Sequence, residues 1–239
     1  MVVGQMIDIH CHILHSIDDG PADLEGSLLM AKTLSDLGFT KAIATPHRPW
    51  EGADPDFKKA NEQFVELSEA IPKAGIELQL FLAAEHFGPY VLELLQQDKI
   101  AYYPRGDSFL MEFPLTGFPP RVEDIFFRCQ LKAKIPVIAH VERYPEVQQD
   151  YKCLEGMKKR GCKILVNLSS LVGGWDAQSK QVARKIIESN LADAVTSDLH
   201  SALQLEVLSN GLKELKAIVG DGNEFQRLTK EGPAGVAGL

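Results

Sequence analysis

Met6-Ile7-Asp8-Ile9-His10-Cys11-His12 is a short apolar run that ends in His-x-His. Its content of Ile and its length suit a strand, and on a strand residues two apart point to the same side. His10 and His12 are therefore expected to project together, with Cys11 turned into packing. Two imidazoles on one face are a bidentate grip for a metal ion.

Similar endings recur along the chain. Strands are expected at 6–10, 41–45, 78–84, 109–113, 136–140, 164–168 and 192–197. Between them, helical spacing of apolar residues predicts helices at 24–37, 56–70, 90–97, 122–134, 177–190 and 203–219. Strands alternating with helices imply parallel pairing and right-handed crossovers, and seven such units can close into a barrel. The expected fold class is α/β, a distorted (β/α)7 TIM-like barrel. Residues 1–230 are expected to form one domain, with 231–239, rich in Gly, Pro and Ala, as a loose tail.

Barrel enzymes hold their chemistry at the C-terminal ends of the strands. Those ends carry His10 and His12 with Asp18-Asp19-Gly20 behind them, then His47-Arg48, Glu85, Glu112, His140-Val141-Glu142-Arg143, Asn167, and Asp198-Leu199-His200. Five of the 7 histidines fall there. A lone buried carboxylate such as Glu85 is costly unless it is paired. Asp19 is preferred over Asp18 as a ligand, the other serving a turn or a helix cap.

Imidazole and carboxylate together suit manganese, iron, zinc or cobalt. The ligands outnumber the needs of one ion, so two or three divalent ions are expected. Ions about 3.5–4 Å apart can supply a hydroxide nucleophile at neutral pH and clamp an in-line displacement. Arg48 and Arg143 each follow a ligand-type histidine closely, and guanidinium forks match phosphate oxygens. The chemistry indicated is phosphate-ester hydrolysis.

The chain has 33 acidic and 25 basic residues, a formal charge of −8. That balance argues against nucleic acid or an anionic membrane as partner. No apolar run is long enough for membrane insertion. Cys11, Cys129, Cys153 and Cys162 form no C-x-x-C pair, which fits reduced thiols and a cytoplasmic location.

The motifs D-I-H-C-H (8–12), A-T-P-H-R (44–48), A-E (84–85), M-E-F-P (111–114), I-A-H-V-E-R-Y (138–144) and S-D-L-H (197–200) follow an order that resembles the polymerase-and-histidinol-phosphatase (PHP) superfamily. Within it, I-D-D-G (17–20), M-E-F-P and A-H-V-E-R-Y resemble the bacterial metal-dependent tyrosine phosphatases of capsule and exopolysaccharide loci. This resemblance implies a three-metal site. One ion would take His10, His12, Glu85 and Asp198; a second would share Glu85 and add Glu112 and His140; a third would take Asp19, His47 and His200. Arg48 and Arg143 would hold phosphate. Manganese is the implied ion, with Fe, Zn, Co or Mg as alternatives. The implied partner is a phosphotyrosine protein, the tail of an autophosphorylating bacterial tyrosine kinase.

The chain departs from that pattern in three places: His15-Ser16 stands where Pro-Gly is common, Ala83-Ala84-Glu85 where Gly-Ala-Glu is commoner, and an arginine is missing, for which His15 is a candidate substitute. Relatives carry an arginine a few residues after the last Asp-x-His, whereas 201–208 has none. A small-molecule phosphatase, such as one for histidinol phosphate, and a weakly catalytic phosphotyrosine-binding regulator are the alternatives. A metal-dependent nuclease, which also begins with His-x-His, is disfavoured by the acidic charge.

Overall fold

The computed structural model describes residues 5–48 and 57–239. Nine strand segments are present among them: β1 (Met6–Cys11), β2 (Phe39–Ala44), β3 (His47–Arg48), β4 (Gln79–Leu82), β5 (Glu85–Phe87), β6 (Ser108–Glu112), β7 (Ile135–Ile138), β8 (Lys163–Asn167) and β9 (Ala194–Thr196). All ladders between them are parallel, in two sheets ordered β1-β2-β4 and β3-β5-β6-β7-β8-β9. The two sheets share chain, because β2 and β3 are halves of one interrupted strand, as are β4 and β5. Pro46 sits in the first break, where it has no N–H for the ladder. The hydrogen bonds there run Ala83 N to Ala44 O and Glu85 N to Pro46 O, so the chain steps without losing contact. Counted as whole strands, the barrel wall has seven members, in agreement with the expected α/β barrel.

The wall closes between β9 and β1. Cys11 bridges Leu199, His12 N donates to Leu199 O at 2.8 Å, and Asp198 N donates to His10 O at 3.0 Å. Asp8, wholly buried, reinforces this seam by accepting from Ser197 N at 3.1 Å and from the Ser197 hydroxyl. Burial is the largest influence on Asp8 and pushes its carboxyl up to about 6 despite those donors. Asp8→Ala would strand both Ser197 donors in a dry seam. It is expected to lower stability by about 2–4 kcal/mol, read as a fall in Tm at unchanged denaturant m-value. A Tm equal to that of the parent chain would show that the seam holds without Asp8.

Nine helices among the described residues lie outside the wall, α1 (Leu24–Asp36), α2 (Lys58–Lys73), α3 (Val91–Gln96), α4 (Val122–Leu131), α5 (Pro145–Gln149), α6 (Cys153–Lys159), α7 (Ala177–Glu188), α8 (Leu205–Val219) and α9 (Asn223–Gln226), and a tenth, α10 (Gly232–Ala237), packs at one end of the barrel. The expected helix over 56–70 begins at a residue outside those described and is otherwise α2. The long helices follow their apolar periodicity; α5 and α6 were not expected, being too short for a period to show. Between wall and helices sits the larger apolar core, which contains Cys11, Met30, Phe109 and Phe126. A smaller core fills the barrel interior with Ile7, Ile9, Ile43, Leu110, Val137, Leu165 and Ala194.

The tail at 231–239, expected to be loose, is instead ordered. Val236 and Ala237 on α10 are buried and belong to the barrel-interior core. Ser108, the first residue of β6, donates its hydroxyl to Val236 O at 2.6 Å, and Arg105 N donates to Ala237 O at 2.9 Å. The tail thus closes the end of the barrel where strands begin. Its composition misleads because Pro233 stands in the first helical turn, where proline costs nothing. Gly232 is required there, since a Cβ would lie 2.0 Å from Asp193 O.

Candidate metal centre

The opposite end of the barrel, where strands finish, carries the polar residues. β1 reaches it through an irregularity: its register against β2 shifts between Asp8 and Cys11. Ile9 faces the barrel interior while Cys11 faces the helix layer, although both are odd-numbered. A bulge of this kind re-aims side chains. His10 and His12 nonetheless stay together, their Nε2 atoms 3.3 Å apart, as the alternation predicts.

Glu85 is at the centre and is 1% exposed. Its Oε1 lies 3.3 Å from His10 Nε2 and 3.3 Å from His140 Nε2. Its Oε2 lies 3.3 Å from His12 Nε2 and 3.2 Å from His47 Nδ1. Glu112 stands 3.3 Å from His47 Nδ1 and 3.6 Å from His140 Nε2. Asp198 Oδ1 stands 3.3 Å from His10 Nε2, 3.6 Å from His12 Nε2 and 3.7 Å from His200 Nδ1. Asp19 reaches His200 Nε2 at 3.4 Å and His47 Nε2 at 3.6 Å. All nine ligand-type residues expected from the sequence thus meet in one place.

These spacings fit metal ligation. Bonds of about 2.0–2.2 Å place two donors of one ion at most about 4.4 Å apart. Three sets lie within 4.8 Å of one another: His12, Asp19, His47 and His200; His10, His12 and Asp198; and His47, Glu85 and Glu112. Glu85 Oε1 is buried yet makes no well-directed hydrogen bond in the chain, although two imidazole nitrogens face it. A shared cation satisfies that arrangement better than a hydrogen bond does.

The electrostatics point the same way. Burial opposes charge on Glu85, but the His10, His12 and His140 rings outweigh it and hold the carboxyl well below its usual range. For Asp198, burial is again overridden by His10, His140 and His12, and the carboxyl falls to about 2. Burial disfavours the His140 imidazolium, yet Glu112 and Glu85 raise it to about 10. His12 and His47 shift upward against burial too, through Asp18 and Glu85 for His12 and through Glu112 and Glu85 for His47. The carboxylates call for positive charge, and divalent ions or protons on the imidazoles are the two ways to provide it.

A family model described as "Capsular polysaccharide synthesis, CpsB/CapC" matches residues 6–220. The chain belongs to the CpsB/CapC family. It is 32% identical to the tyrosine-protein phosphatase YwqE of Bacillus subtilis over 82% of this chain and 78% of that protein. It is 26% identical to the tyrosine-protein phosphatase CpsB of Streptococcus pneumoniae, over 82% and 83% of the two chains. The crystal structures of YwqE and CpsB are described as those of metal-dependent tyrosine phosphatases. The match has a TM-score of 0.87 at 29% identity and covers 97% of this chain and 94% of that one. The phosphotriesterase homology protein of Escherichia coli shares the fold at 9% identity, with a TM-score of 0.58.

In this CpsB/CapC chain the ligand-type residues are held by a second set of groups. Asp18 Oδ2 lies 2.8 Å from His12 Nδ1 and accepts from His47 N at 2.9 Å, while its Oδ1 accepts from Gly20 N at 3.1 Å. Asp18 therefore orients His12, and Asp19 faces the cleft, as preferred from the sequence. Gly20 is needed in this turn because a Cβ would lie 2.2 Å from His12 O. Asn167 Nδ2 donates to Asp198 Oδ2 at 2.6 Å, and His200 Nδ1 donates to Asp198 O at 2.9 Å, which leaves His200 Nε2 free to ligate. His140 and Asp198 hold their positions with φ of 35° and 49°, a left-handed backbone unusual outside glycine.

Arg143 lines the cleft, its guanidinium carbon 3.6 Å from the centre of the Trp175 ring and its Nη1 4.0 Å from Asp198 Oδ2. Arg48 does not line it. Alternation along β3 sends Arg48 away from His47, beside His86 and 5.0 Å from the Phe57 ring centre, where it is 8% exposed. His86 is structural: its Nδ1 donates to Leu110 O at 2.8 Å and its Nε2 accepts from Ala101 N at 3.1 Å. His15, considered as a substitute for the missing arginine, instead faces Glu66 at 3.4 Å.

Glu142 does not pair with Arg143. It accepts from Ser170 Oγ at 2.6 Å and from Asn167 N at 3.1 Å, tying its turn to the end of β8. That bond leaves no mark in the sequence, because Ser170 falls in the short helix Ser169–Val172, which has no periodic pattern. The Trp175–Arg143 stack was equally hidden.

Proposed function

We propose that this chain is a metal-dependent protein-tyrosine phosphatase. Manganese is the ion this reading favours, in two or three sites held by His10, His12, Asp19, His47, Glu85, Glu112, His140, Asp198 and His200. The observation that carries the reading is the convergence of those nine side chains, seven of them lining a cleft of about 250 Å³ that also holds Arg143, with His10 and His12 behind it against Glu85 and Asp198. When bound, such ions supply a nucleophile at neutral pH and offset phosphoryl charge. The chain's own residues bind and orient. Arg143 presents its fork to phosphate oxygens, and the Trp175 face fixes the plane of that fork. Asn167 and Asp18 keep Asp198 and His12 in register. Tyrosine is a good leaving group, with a hydroxyl pKa near 10, so little proton donation is required of the site.

The substrate this reading favours is the phosphorylated tail of a tyrosine kinase that controls polysaccharide export, in the cytoplasm. No helix among the described residues is long and apolar enough to cross a membrane. The test pairs elemental analysis of protein purified without chelator with phosphate release from phosphotyrosine peptides, histidinol phosphate and sugar phosphates. Manganese-loaded protein that releases phosphate from none of them would end the proposal.

Arg143 is the single guanidinium among the described cleft-lining residues, and residues 201–208 contain no arginine. In their place, Gln204 Oε1 accepts from His200 N at 2.8 Å and from Ser201 N at 3.0 Å. Arg143→Ala is expected to lower kcat/KM about ten- to a hundredfold, the worth of one charge-assisted contact of about 1.5–3 kcal/mol. Metal content should stay that of the parent chain; loss of metal instead would show that Arg143 serves the ligands.

A further inference from the structure

Two large apolar side chains stand among otherwise polar cleft walls: Leu115, 45% exposed, and Trp175, 46% exposed. They come from the loops after β6 and β8, the strands on either side of β7, whose own loop carries Arg143. Apolar groups left half-exposed at one mouth, next to a phosphate-type cation, mark a place where an apolar part of a ligand is covered.

Trp175 is firmly placed. Asp176, the next residue, caps α7 by accepting from Ser179 N at 2.7 Å and from Ser179 Oγ at 2.8 Å. On its other side, Gly174 N donates to Ser169 O at 2.9 Å, an approach so close that a Cβ on Gly174 would meet the same oxygen at 2.9 Å. The Ser170–Glu142 hydrogen bond joins this loop to the Arg143 turn a second time. The indole is thus a fixed platform.

We propose that Trp175 and Leu115 form an aryl-selecting mouth, which grips the ring of an aromatic phosphomonoester while Arg143 holds its phosphate. This inference rests on the phosphatase reading and assigns the residues that set its preference for aryl over alkyl esters. Trp175 acts twice, orienting Arg143 through one contact and covering the substrate ring through another. Aromatic contacts of this kind give about tenfold in affinity.

The test uses calorimetric titration of the metal-loaded protein with phenylphosphonate and with methylphosphonate, alongside turnover of phenyl phosphate and glycerol 2-phosphate. The parent chain should bind the phenyl compound about tenfold more tightly. Trp175→Ala should erase that ratio and raise KM for phenyl phosphate more than for glycerol 2-phosphate. Trp175→Phe should keep most of the ratio, and Leu115→Ala should reduce it. An unchanged aryl-to-alkyl ratio in Trp175→Ala, or an equal loss for both ligands, would overturn the inference. Absence of turnover for every ester in the parent chain would count against the phosphatase reading instead, and the binding ratio would still decide the role of Trp175.

Discussion

Glu85→Gln is expected to lower phosphate release on the order of 10²–10³-fold and to reduce bound metal below the parent stoichiometry. The reason is its position. One buried carboxylate stands within 3.3 Å of four imidazoles, and no other among the described residues touches as many. Glutamine keeps the volume but removes the charge and turns an –NH2 towards nitrogen atoms that must act as ligands. The four rings then lose the anion that gathers them. Elemental analysis and single-turnover kinetics on the same preparation separate loss of metal from loss of rate. Full stoichiometry together with full activity would reject a central role for Glu85.

Removing divalent ions should abolish phosphate release and make stability fall on the alkaline side. The sign follows from the imidazoles. His140 moves from its ordinary value of 6.5 to about 10 in the folded state, and His12 and His47 move the same way. Groups raised on folding add stability that is fully present below the unfolded value and is lost as pH rises through the folded one. The metal-free protein should therefore weaken between about pH 6.5 and about pH 10. On the acid side, Asp198, lowered to about 2, adds stability that persists until the pH falls towards that value. Metal binding works in the reverse direction, since each ligand must shed its proton and affinity climbs with pH. Melting curves of chelated and manganese-reconstituted protein at about pH 6 and about pH 9 would check this. Equal Tm for the chelated protein at both values would contradict the assignment of charge, and activity surviving chelation would contradict the metal itself.

Much of this was legible from spacing. The ligand-type residues stand at strand ends because only there do consecutive strands present side chains to one rim, and that rule needs no coordinates. The preference for Asp19 over Asp18 as a ligand rests on the turn at Gly20, and the fold points Asp18 at His12 and Gly20 and Asp19 at His200. Arg48 follows His47 in sequence yet does not share its cleft, because neighbours on a strand face opposite ways; the period that joins His10 to His12 parts His47 from Arg48. The bulge that lets Ile9 and Cys11 face different sides has no mark in the residues themselves. The ordered tail was missed for a related reason: Gly, Pro and Ala are common in loose segments, yet they are also what fits where backbones approach within contact distance. Glu142, Ser170 and Trp175 act across loops with no period, so only the fold brings them together.

The left-handed backbones of His140 and Asp198 bear on how this protein can change. At both positions glycine would relieve the main chain, yet it would also remove a side chain whose charge the fold pairs, so backbone relief and charge pairing oppose each other there. Laboratory evolution that screens survival without turnover should therefore keep these two codons until their charged neighbours have been replaced, and only then drift to glycine.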